Sequence, residues 1–272
     1  PSPRHLIIAL IGYWFMKKLL GIIVLGLLLS GNAFSFGLPK DVGSGNSYTK
    51  SLGSGFKKHG VKIVKKEDGF PVRAGEKSIR FEVRFGDCGK DKPPGKWSDC
   101  KKDRQRHELS GKKFKGEKWT AFSIYLPKDF KSVDPVKLAM GQFHQKGGSP
   151  NLMFQFNNYG FWADRQRGFM TIEQKLILPY GDMIGKWNDI LIHGNFTKKE
   201  DGFFKIWVNN KLKYEYYGQT TWGKPSFFKF GIYQTWVSRF SNAYTKPYPT
   251  QVVYFDEVRH GNSREKVVGN LY

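Results

Sequence analysis

Polar side chains recur at every second position in three short segments of the sequence. The first segment carries Arg104, Arg106 and Glu108, and the second carries Gln142 and His144. Alternate residues of a β-strand project from the same face, so an extended conformation would gather each set on one side. Arginine and amide groups can donate hydrogen bonds to an anion, and a histidine can act as a base near neutral pH.

The third segment adds a lysine and a phenolic proton donor. Lys229, Gly231 and Tyr233 alternate there with Phe228 and Phe230, which predicts one polar and one apolar face. A glycine between the two polar residues would leave room for a ligand to approach the backbone. Three segments of this kind predict a single polar sheet face.

The combined set of side chains suits β-elimination at a uronic acid residue. In this reaction a carboxylate is neutralised, a base removes the C5 proton and an acid protonates the O4 leaving group. Arg106 and Gln142 would neutralise the carboxylate and stabilise the developing enolate. His144 would be the base and Tyr233 the acid, with Lys229 lowering the pKa of the tyrosine and holding the polyanion. In an alternative assignment, Tyr233 performs both proton transfers and His144 neutralises charge.

Each of these residues also has a purely structural explanation. A single histidine such as His144 is more often a hydrogen-bonded structural residue than a catalyst. Arg106 and Glu108 could form a cross-strand ion pair on a solvated face, and Tyr233 could place its hydroxyl in water. A basic face without chemistry would make the protein a non-catalytic module that binds acidic polysaccharide, which is the main alternative to an enzyme.

The elements that would carry these residues are short strands. Aromatic residues make up 16% of the chain and glycines number 31, as is typical of all-β proteins. Two-residue periodicity between turn signals predicts a sandwich of two packed antiparallel sheets, and Asn209-Asn210 predicts a hairpin turn. The clearest strand segments are Ser78–Phe85, Arg104–Leu109, Trp119–Leu126, Ala139–His144, Leu152–Phe156, Asp189–Phe196, Phe203–Val208, Phe227–Tyr233 and Val252–Arg259.

Charge and the N-terminal sequence narrow the choice of partner. Lys and Arg number 45 against 23 Asp and Glu, a formal charge of +22 that attracts nucleic acid, anionic lipid or acidic polysaccharide. Residues 1–35 are predicted to be an upstream extension and a signal peptide that starts at Met16, since a short apolar run and small residues follow two lysines. The run is short for a membrane span. We therefore expect a secreted or periplasmic monomer without stable membrane insertion, whose partner is acidic polysaccharide rather than nucleic acid.

The remaining chain is expected to form one domain over residues 61–272. Residues 36–60 are rich in glycine, serine and lysine, which predicts a flexible lead-in. A short loop separates the two cysteines, Cys88 and Cys100, and export would place them in an oxidising compartment. A disulfide bond between them is expected. Zinc is the weaker alternative, because no Cys/His pair lies nearby at ligand spacing.

Three motifs resemble the site-bearing strands of jelly-roll polysaccharide lyases, alginate lyases among them. These motifs are Arg106-His107-Glu108-Leu109, Gln142-Phe143-His144 and Phe228–Tyr233. The wider pattern is similar to the heparin-lyase-I-like and glucuronan-lyase-like branch and covers residues 75–265. Its other elements are Gly86-Asp87-Cys88, Asp99-Cys100, Gly185-Lys186-Trp187, Asp189, Asp201-Gly202-Phe203 and Tyr254–Arg259.

The resemblance implies an all-β jelly roll whose concave face binds and cleaves the polysaccharide. Its catalytic residues would be Arg106, Gln142, His144 and Tyr233. The chain departs from the alginate-lyase pattern at Phe230, where a small residue is usual, and in the residues after Tyr233. The substrate is therefore left open, with glucuronan favoured over alginate and heparin-like glycans. A retaining glycoside hydrolase is disfavoured, because the sequence has no Glu-x-Asp-x-x-Glu run to supply paired carboxylates.

Substrate binding and metal binding complete the expected site. Arg104 and Lys229 would hold the polyanion, and His193 and Lys205, which alternate on neighbouring predicted strands, could line subsites or a solvated face. The chemistry itself requires no cofactor. The resemblance implies that a structural calcium ion can lie away from the cleft, and Asp256 is its candidate ligand.

Overall fold

The structure of the protein is a computed structural model that describes residues 35–43, 47–92, 95, 97–168 and 170–269. The predicted signal peptide, apart from Ser35, lies outside these residues. Within them, no helix has the length and apolar character needed to cross a membrane.

Short strands account for most of the described chain. In order they are β1 (Ser35–Gly37), β2 (Ser47–Lys50), β3 (Val61–Lys65), β4 (Lys77–Val83), β5 (Arg104–Ser110), β6 (Gly116–Tyr125), β7 (Lys137–Gln145), β8 (Pro150–Asn157), β9 (Gly160–Arg167), β10 (Met170–Pro179), β11 (Trp187–Phe196), β12 (Phe203–Val208), β13 (Lys211–Tyr217), β14 (Ser226–Thr235) and β15 (Gln251–Gly261). The helices are short: α1 (Tyr180–Met183), α2 (Ser238–Ala243), α3 (Glu265–Val268) and the 3₁₀ turns Lys66–Asp68 and Cys100–Lys102.

The strands form two sheets. The eight-stranded sheet has the order β1-β2-β5-β14-β7-β8-β9-β10, and the seven-stranded sheet has the order β13-β12-β11-β6-β15-β4-β3. Neighbours in space are often far apart in sequence, since β14 pairs antiparallel with both β5 and β7. The fold is an all-β sandwich of the jelly-roll type, which confirms the predicted fold class.

A core rich in phenylalanine lies between the sheets. Phe228 and Phe230 of β14 are buried against Phe122 of β6 and Phe255 of β15. The ring centroids are 5.5 Å apart for Phe122 and Phe228, and 5.4 Å apart for Phe230 and Phe255. Full burial of a side chain of this size contributes about 2–3 kcal/mol. Because these alternate residues point inward, the intervening Lys229 is directed to the outer face of its sheet.

The hairpin between β12 and β13 forms at the predicted residues. Asn209 and Asn210 have φ angles of 49° and 63°, and a type I′ turn requires such a left-handed pair. The Asn209 amide donates to Asn188 Oδ1 at 2.9 Å, and its Oδ1 accepts from the Asp189 N–H at 2.9 Å. These bonds join the turn to β11.

The segment predicted to be a flexible lead-in contributes two strands where it is described. Strand β2 pairs with β5 through Thr49 and Ser110. Tyr48 is buried, with its ring 5.2 Å from that of Phe230. Leu38 and Val42 of this segment are also buried in the core, a contribution that its composition does not reveal.

Gly231 has a different role from the one predicted for it. Its φ angle is 127°, and a Cβ at this position would lie 2.4 Å from the His107 carbonyl oxygen and 2.8 Å from Phe81 Cε1. Phe81 belongs to the core. The glycine therefore permits close packing of β14 within the sandwich rather than opening space for a ligand.

Gly231→Ala is expected to lower the free energy of unfolding by about 3 kcal/mol, because alanine is strained at this φ and would contact fixed backbone atoms. Gly181 provides the matched control, since a Cβ there would meet nothing within 4 Å. Denaturant unfolding should show Gly181→Ala within about 0.5 kcal/mol of the unmodified protein. Equal stability of the two variants would contradict the packing role of Gly231.

Candidate active site

A cleft of about 450 Å³ lies on the outer face of the eight-stranded sheet. The three predicted polar segments meet there because they form the adjacent strands β5, β14 and β7. The predicted site residues that line this cleft are Arg104, Arg106, Gln142, His144, Lys229 and Tyr233.

Two carboxylates hold Arg106 at the floor of the cleft. Its Nε and Nη2 atoms donate to the two carboxylate oxygens of Asp99 at 2.6 and 2.8 Å, and its Nη1 atom donates to Glu108 Oε2 at 3.1 Å. All three side chains are buried. Burial lowers the pKa of Arg106, but the bonds and charges of Asp99 and Glu108 outweigh it and raise the pKa above its usual value. The guanidinium therefore stays charged.

Glu108 also binds two neighbours of Arg106. Lys229 Nζ donates to Glu108 Oε2 at 3.1 Å, and Gln142 Nε2 donates to Glu108 Oε1 at 2.5 Å. Burial lowers the pKa of Lys229, and the negative charge of Glu108 opposes this shift. Glu108 thus fixes Arg106, Lys229 and Gln142 relative to one another.

Asp99, Arg106, Glu108 and Lys229 form what we call the central charge cluster, in which two cations face two anions. An arginine has five N–H groups, and Arg106 uses three of them in this cluster. The others remain available to a ligand. Gln142 Oε1 is buried and has no hydrogen-bond partner among the described residues. The cluster and the adjacent Gln142 therefore offer directed donors and an acceptor without a large excess of charge.

His144 lies on β7 opposite Phe227. Its Nδ1 atom is 2.8 Å from the Gln145 carbonyl oxygen, which can only accept a hydrogen bond, so Nδ1 carries the proton and Nε2 the lone pair. Burial, and then the charge of Lys229, lowers the pKa of His144 to about 4. At neutral pH the imidazole is uncharged and Nε2 can accept a proton.

Tyr233 lies on β14 opposite Arg106 on β5. The Arg106 guanidinium is 4.1 Å from the centroid of the tyrosine ring, a cation–π contact. Burial raises the pKa of Tyr233, and the charges of Arg106 and Arg104 oppose the shift. The phenol therefore keeps its proton at neutral pH. Lys229 was expected to lower the pKa of Tyr233. The pKa is instead raised overall, and the two arginines, not Lys229, oppose the rise.

The cleft extends beyond the predicted residues on both sides. Trp97 lines one wall, with the Arg104 guanidinium 5.3 Å from the centroid of its ring. Gln155 of β8 and Gln166 of β9 line the opposite wall. None of these three non-motif residues was predicted, because Trp97 lies in a loop and the two amides belong to no motif.

His193 and Lys205 lie elsewhere. They pair across β11 and β12 of the seven-stranded sheet, on its outer face, because the adjacent Ile192 points into the core. His193 stacks on Trp119 with 3.8 Å between ring centroids, and Lys205 forms an ion pair with Glu215 at 2.9 Å. The structure thus places them outside the cleft that holds the other predicted site residues. Alternation identifies residues that share a face, but not the sheet that a strand joins.

The surroundings of Asp256 do not fit calcium. Its carboxylate accepts the backbone N–H groups of Arg73, Ala74 and Glu257 at 2.8, 3.2 and 2.8 Å. The Arg73 guanidinium forms a bidentate pair with Asp189 close by. Burial raises the pKa of Asp256 to about 7. Calcium takes six to eight oxygen ligands, whereas the groups bound to Asp256 here are N–H donors.

A second group of side chains that could in principle bind a metal ion includes His107 of β5. His59, Asp87 and His107 bring nitrogen and oxygen atoms within 4.8 Å of one another. His107 Nδ1 lies 2.6 Å from the Glu82 carbonyl oxygen, and its Nε2 accepts from the Lys57 N–H at 3.2 Å. Both ring nitrogens are therefore engaged, and we interpret the group as a hydrogen-bonded support for β5.

The predicted disulfide bond between Cys88 and Cys100 is present, with the Cα atoms 5.4 Å apart. The loop that it closes carries both Trp97 and Asp99. Sequence reasoning missed Asp99 as a site residue. Asp99-Cys100 belongs to the wider resemblance, but Asp99 lies in a segment without strand periodicity, so its side chain could not be assigned to the polar sheet face.

Comparison with known proteins identifies the family and supports the fold. A family model described as polysaccharide lyase matches residues 44–259. The fold is similar to that of an endo-β-1,4-glucuronan lyase from the fungus Trichoderma reesei, with 16% identity and a TM-score of 0.54 over 78% of this chain and 91% of that chain. It is also similar to the alginate lyase AlgAT5 of polysaccharide lyase family 7, with 13% identity and a TM-score of 0.50 over 84% and 92%. A search of curated proteins finds no match. These solved structures share the fold, and the match of the family model to most of the chain shows that the protein belongs to the polysaccharide lyase family.

Proposed function

We propose that this polysaccharide lyase cleaves an acidic polysaccharide by β-elimination at a uronic acid residue bound beside Arg106. The observation that carries the proposal is that Arg106, His144 and Tyr233 line one cleft. At neutral pH, His144 is uncharged with a free Nε2 lone pair, and Tyr233 retains its phenolic proton. These are the states that a base and an acid need before the reaction.

The carboxylate of the sugar must be neutralised before the C5 proton can leave. The N–H groups of Arg106 and Lys229 that the central charge cluster leaves free can donate to this carboxylate. As the C5 proton is removed, negative charge grows on the carboxylate oxygens. Donors that Asp99 and Glu108 already orient stabilise this charge without rearrangement.

The proton and electron transfers balance without water. His144 Nε2 takes the C5 proton, and the C5–H electron pair forms a double bond between C4 and C5. The C4–O4 bond breaks, and its electron pair stays on O4, which receives the proton of Tyr233. One product carries an unsaturated uronate, the other a new reducing end. Solvent then returns the imidazolium proton to the tyrosinate.

The negative charge of the substrate assists the base. In the free protein, burial and Lys229 hold the pKa of His144 low. A uronate bound to Lys229 offsets that positive charge, so binding of the polysaccharide raises the pKa of His144 and strengthens it as a base.

The pH dependence of kcat/KM distinguishes the two assignments of the base. With His144 as base, protonation below its pKa of about 4 removes activity, so kcat/KM is expected to be level between about pH 5 and 8 and to fall about tenfold per unit below pH 4. If Tyr233 were the base, its raised pKa would make kcat/KM climb about tenfold per unit from pH 6 to 9. Initial rates at constant ionic strength measure the profile.

The substrate class follows from charge and resemblance. A formal charge of +22 favours a polyanion, and the predicted signal peptide favours action outside the cytoplasm. Glucuronan is the preferred candidate ahead of alginate and heparin-like glycans, in keeping with the sequence motifs and with the fold shared with a glucuronan lyase.

The test is the appearance of unsaturated uronate ends, followed by absorbance near 235 nm, on glucuronan, alginate and heparin-like glycans. We expect product from at least one of them, with no cofactor added. Retention of these glycans on the immobilised protein without any absorbance change would instead support a non-catalytic binding module. Cleavage that yields saturated ends would contradict elimination.

A further inference from the structure

Asp99 is a buried carboxylate whose contacts converge on Arg106. It is 0% exposed. Besides the two bonds from Arg106, its Oδ2 accepts the Gly89 N–H at 3.2 Å, and its Oδ1 accepts Trp97 Nε1 at 3.0 Å. Each carboxylate oxygen therefore accepts one further hydrogen bond besides the one from Arg106.

The backbone around Asp99 is fixed as well. Its N–H donates to the Gly89 carbonyl at 2.9 Å, and its carbonyl accepts the Arg104 N–H at 2.9 Å. The next residue, Cys100, is bonded to Cys88, beside Gly89. The disulfide bond thus lies directly beside both Gly89 and Asp99, which are hydrogen-bonded to each other.

This arrangement determines the orientation of the guanidinium group. Asp99 binds Nε and Nη2 together, and such a bidentate pair fixes the plane of the group. Glu108 holds only Nη1, through one longer bond of 3.1 Å. Loss of the Asp99 charge would leave Arg106 free to turn about that single bond, away from both the bound uronate and the ring of Tyr233.

We propose that Asp99 is a positioning residue of the elimination reaction, and that the disulfide-closed loop Cys88–Cys100 serves to hold it against Arg106. The inference rests on the proposed role of Arg106 in binding the uronate. The same loop places Trp97 in the wall of the cleft, so loop and site form one unit.

Asp99→Asn tests the proposal, since it keeps the shape of the side chain and removes its charge. We expect kcat/KM to fall about 100-fold, because the donors would be misaligned both for the bound carboxylate and for the charge that develops on it. Asp91→Asn, an exposed carboxylate in the same loop, is the matched control and should keep its rate. Near-ultraviolet circular dichroism and the thermal midpoint establish that both variants fold.

A double-mutant cycle with Arg106→Lys separates positioning from a general structural role. If Asp99 acts through the guanidinium, Asp99→Asn should cost less than about threefold in the Arg106→Lys background. An equal loss in both backgrounds, or a loss below threefold in the unmodified enzyme, would overturn the proposal. If Asp99→Asn does not fold, reduction of the disulfide bond takes its place in the comparison. Reduction should lower the activity of the unmodified enzyme, and it should not further lower the activity of Arg106→Lys.

These outcomes are distinct from failure of the proposed function. That function fails if the unmodified enzyme releases no unsaturated uronate from any acidic glycan. In that case the cycle is read from the affinity for a uronate oligosaccharide, measured by calorimetry. Non-additive losses of affinity would still support Asp99 as the residue that positions Arg106, and additive losses would overturn it.

Discussion

Tyr233→Phe should reduce kcat by about 1,000-fold, since general acid catalysis contributes about 10²–10⁴-fold and no other phenol lines the cleft among the described residues. The variant keeps the ring that lies 4.1 Å from the Arg106 guanidinium. Binding of the polysaccharide and the free energy of unfolding should therefore change little. Rates of formation of unsaturated ends, together with affinity for a uronate oligosaccharide, measure the two effects separately.

Two results would contradict this role of Tyr233. A rate within tenfold of the unmodified enzyme would mean that water or another group protonates O4. A large loss of affinity with an unchanged kcat would mean that the hydroxyl serves to bind the sugar. Tyr159→Phe is a suitable control, because Tyr159 is 74% exposed and lies outside the cleft lining.

Arg106→Lys is expected to have the second largest effect, a loss of about 100- to 1,000-fold in kcat/KM. Lysine retains the positive charge but lacks the planar fork that binds Asp99 with two donors and leaves others for the substrate. The buried carboxylate of Asp99 would also lose hydrogen bonds that offset the cost of burying its charge. We expect the free energy of unfolding to fall by about 3 kcal/mol.

Steady-state kinetics and denaturant unfolding test both parts of this prediction. Arg104→Lys is the matched control, because Arg104 lies in the same strand, is only partly buried and contacts the Trp97 ring rather than a carboxylate. It should lose less than about tenfold in kcat/KM and little stability. Similar losses for the two variants would show that charge alone, and not the fork, matters at position 106.

The sequence was sufficient to predict the polar face of the eight-stranded sheet. His144 and Tyr233 each follow a buried apolar residue, Phe143 and Ile232, whereas Arg106 lies between the buried polar residues Gln105 and His107. Period-two alternation determines which side of a strand a residue occupies. That Arg106 and Tyr233 lie opposite one another could not be read from alternation. It depends on the pairing of strands separated by more than a hundred residues.

Other parts of the fold and of the site are harder to predict from the pattern of polar and apolar residues in the sequence. Strand β9 contains four polar residues in succession, Asp164-Arg165-Gln166-Arg167, which obscures alternation although Phe161 and Ala163 are buried. Asp99 lies in a loop, and its role depends on a tertiary contact with Arg106. His193 and Lys205 alternate as regularly as the site residues do, yet their strands belong to the other sheet.

The near-neutrality of the central charge cluster has a consequence for how the enzyme responds to ionic strength. Paired charges in the floor of the cleft exert little long-range attraction, so capture of a polymer depends on exposed cations such as Lys137 at the cleft mouth. Dissolved salt screens such cations over about 8 Å at physiological concentration, but it has little access to the buried hydrogen bonds around Arg106. Salt should therefore shorten the residence time of polymer and product while leaving bond cleavage unchanged. An enzyme of this design would release its charged fragments fastest in saline surroundings.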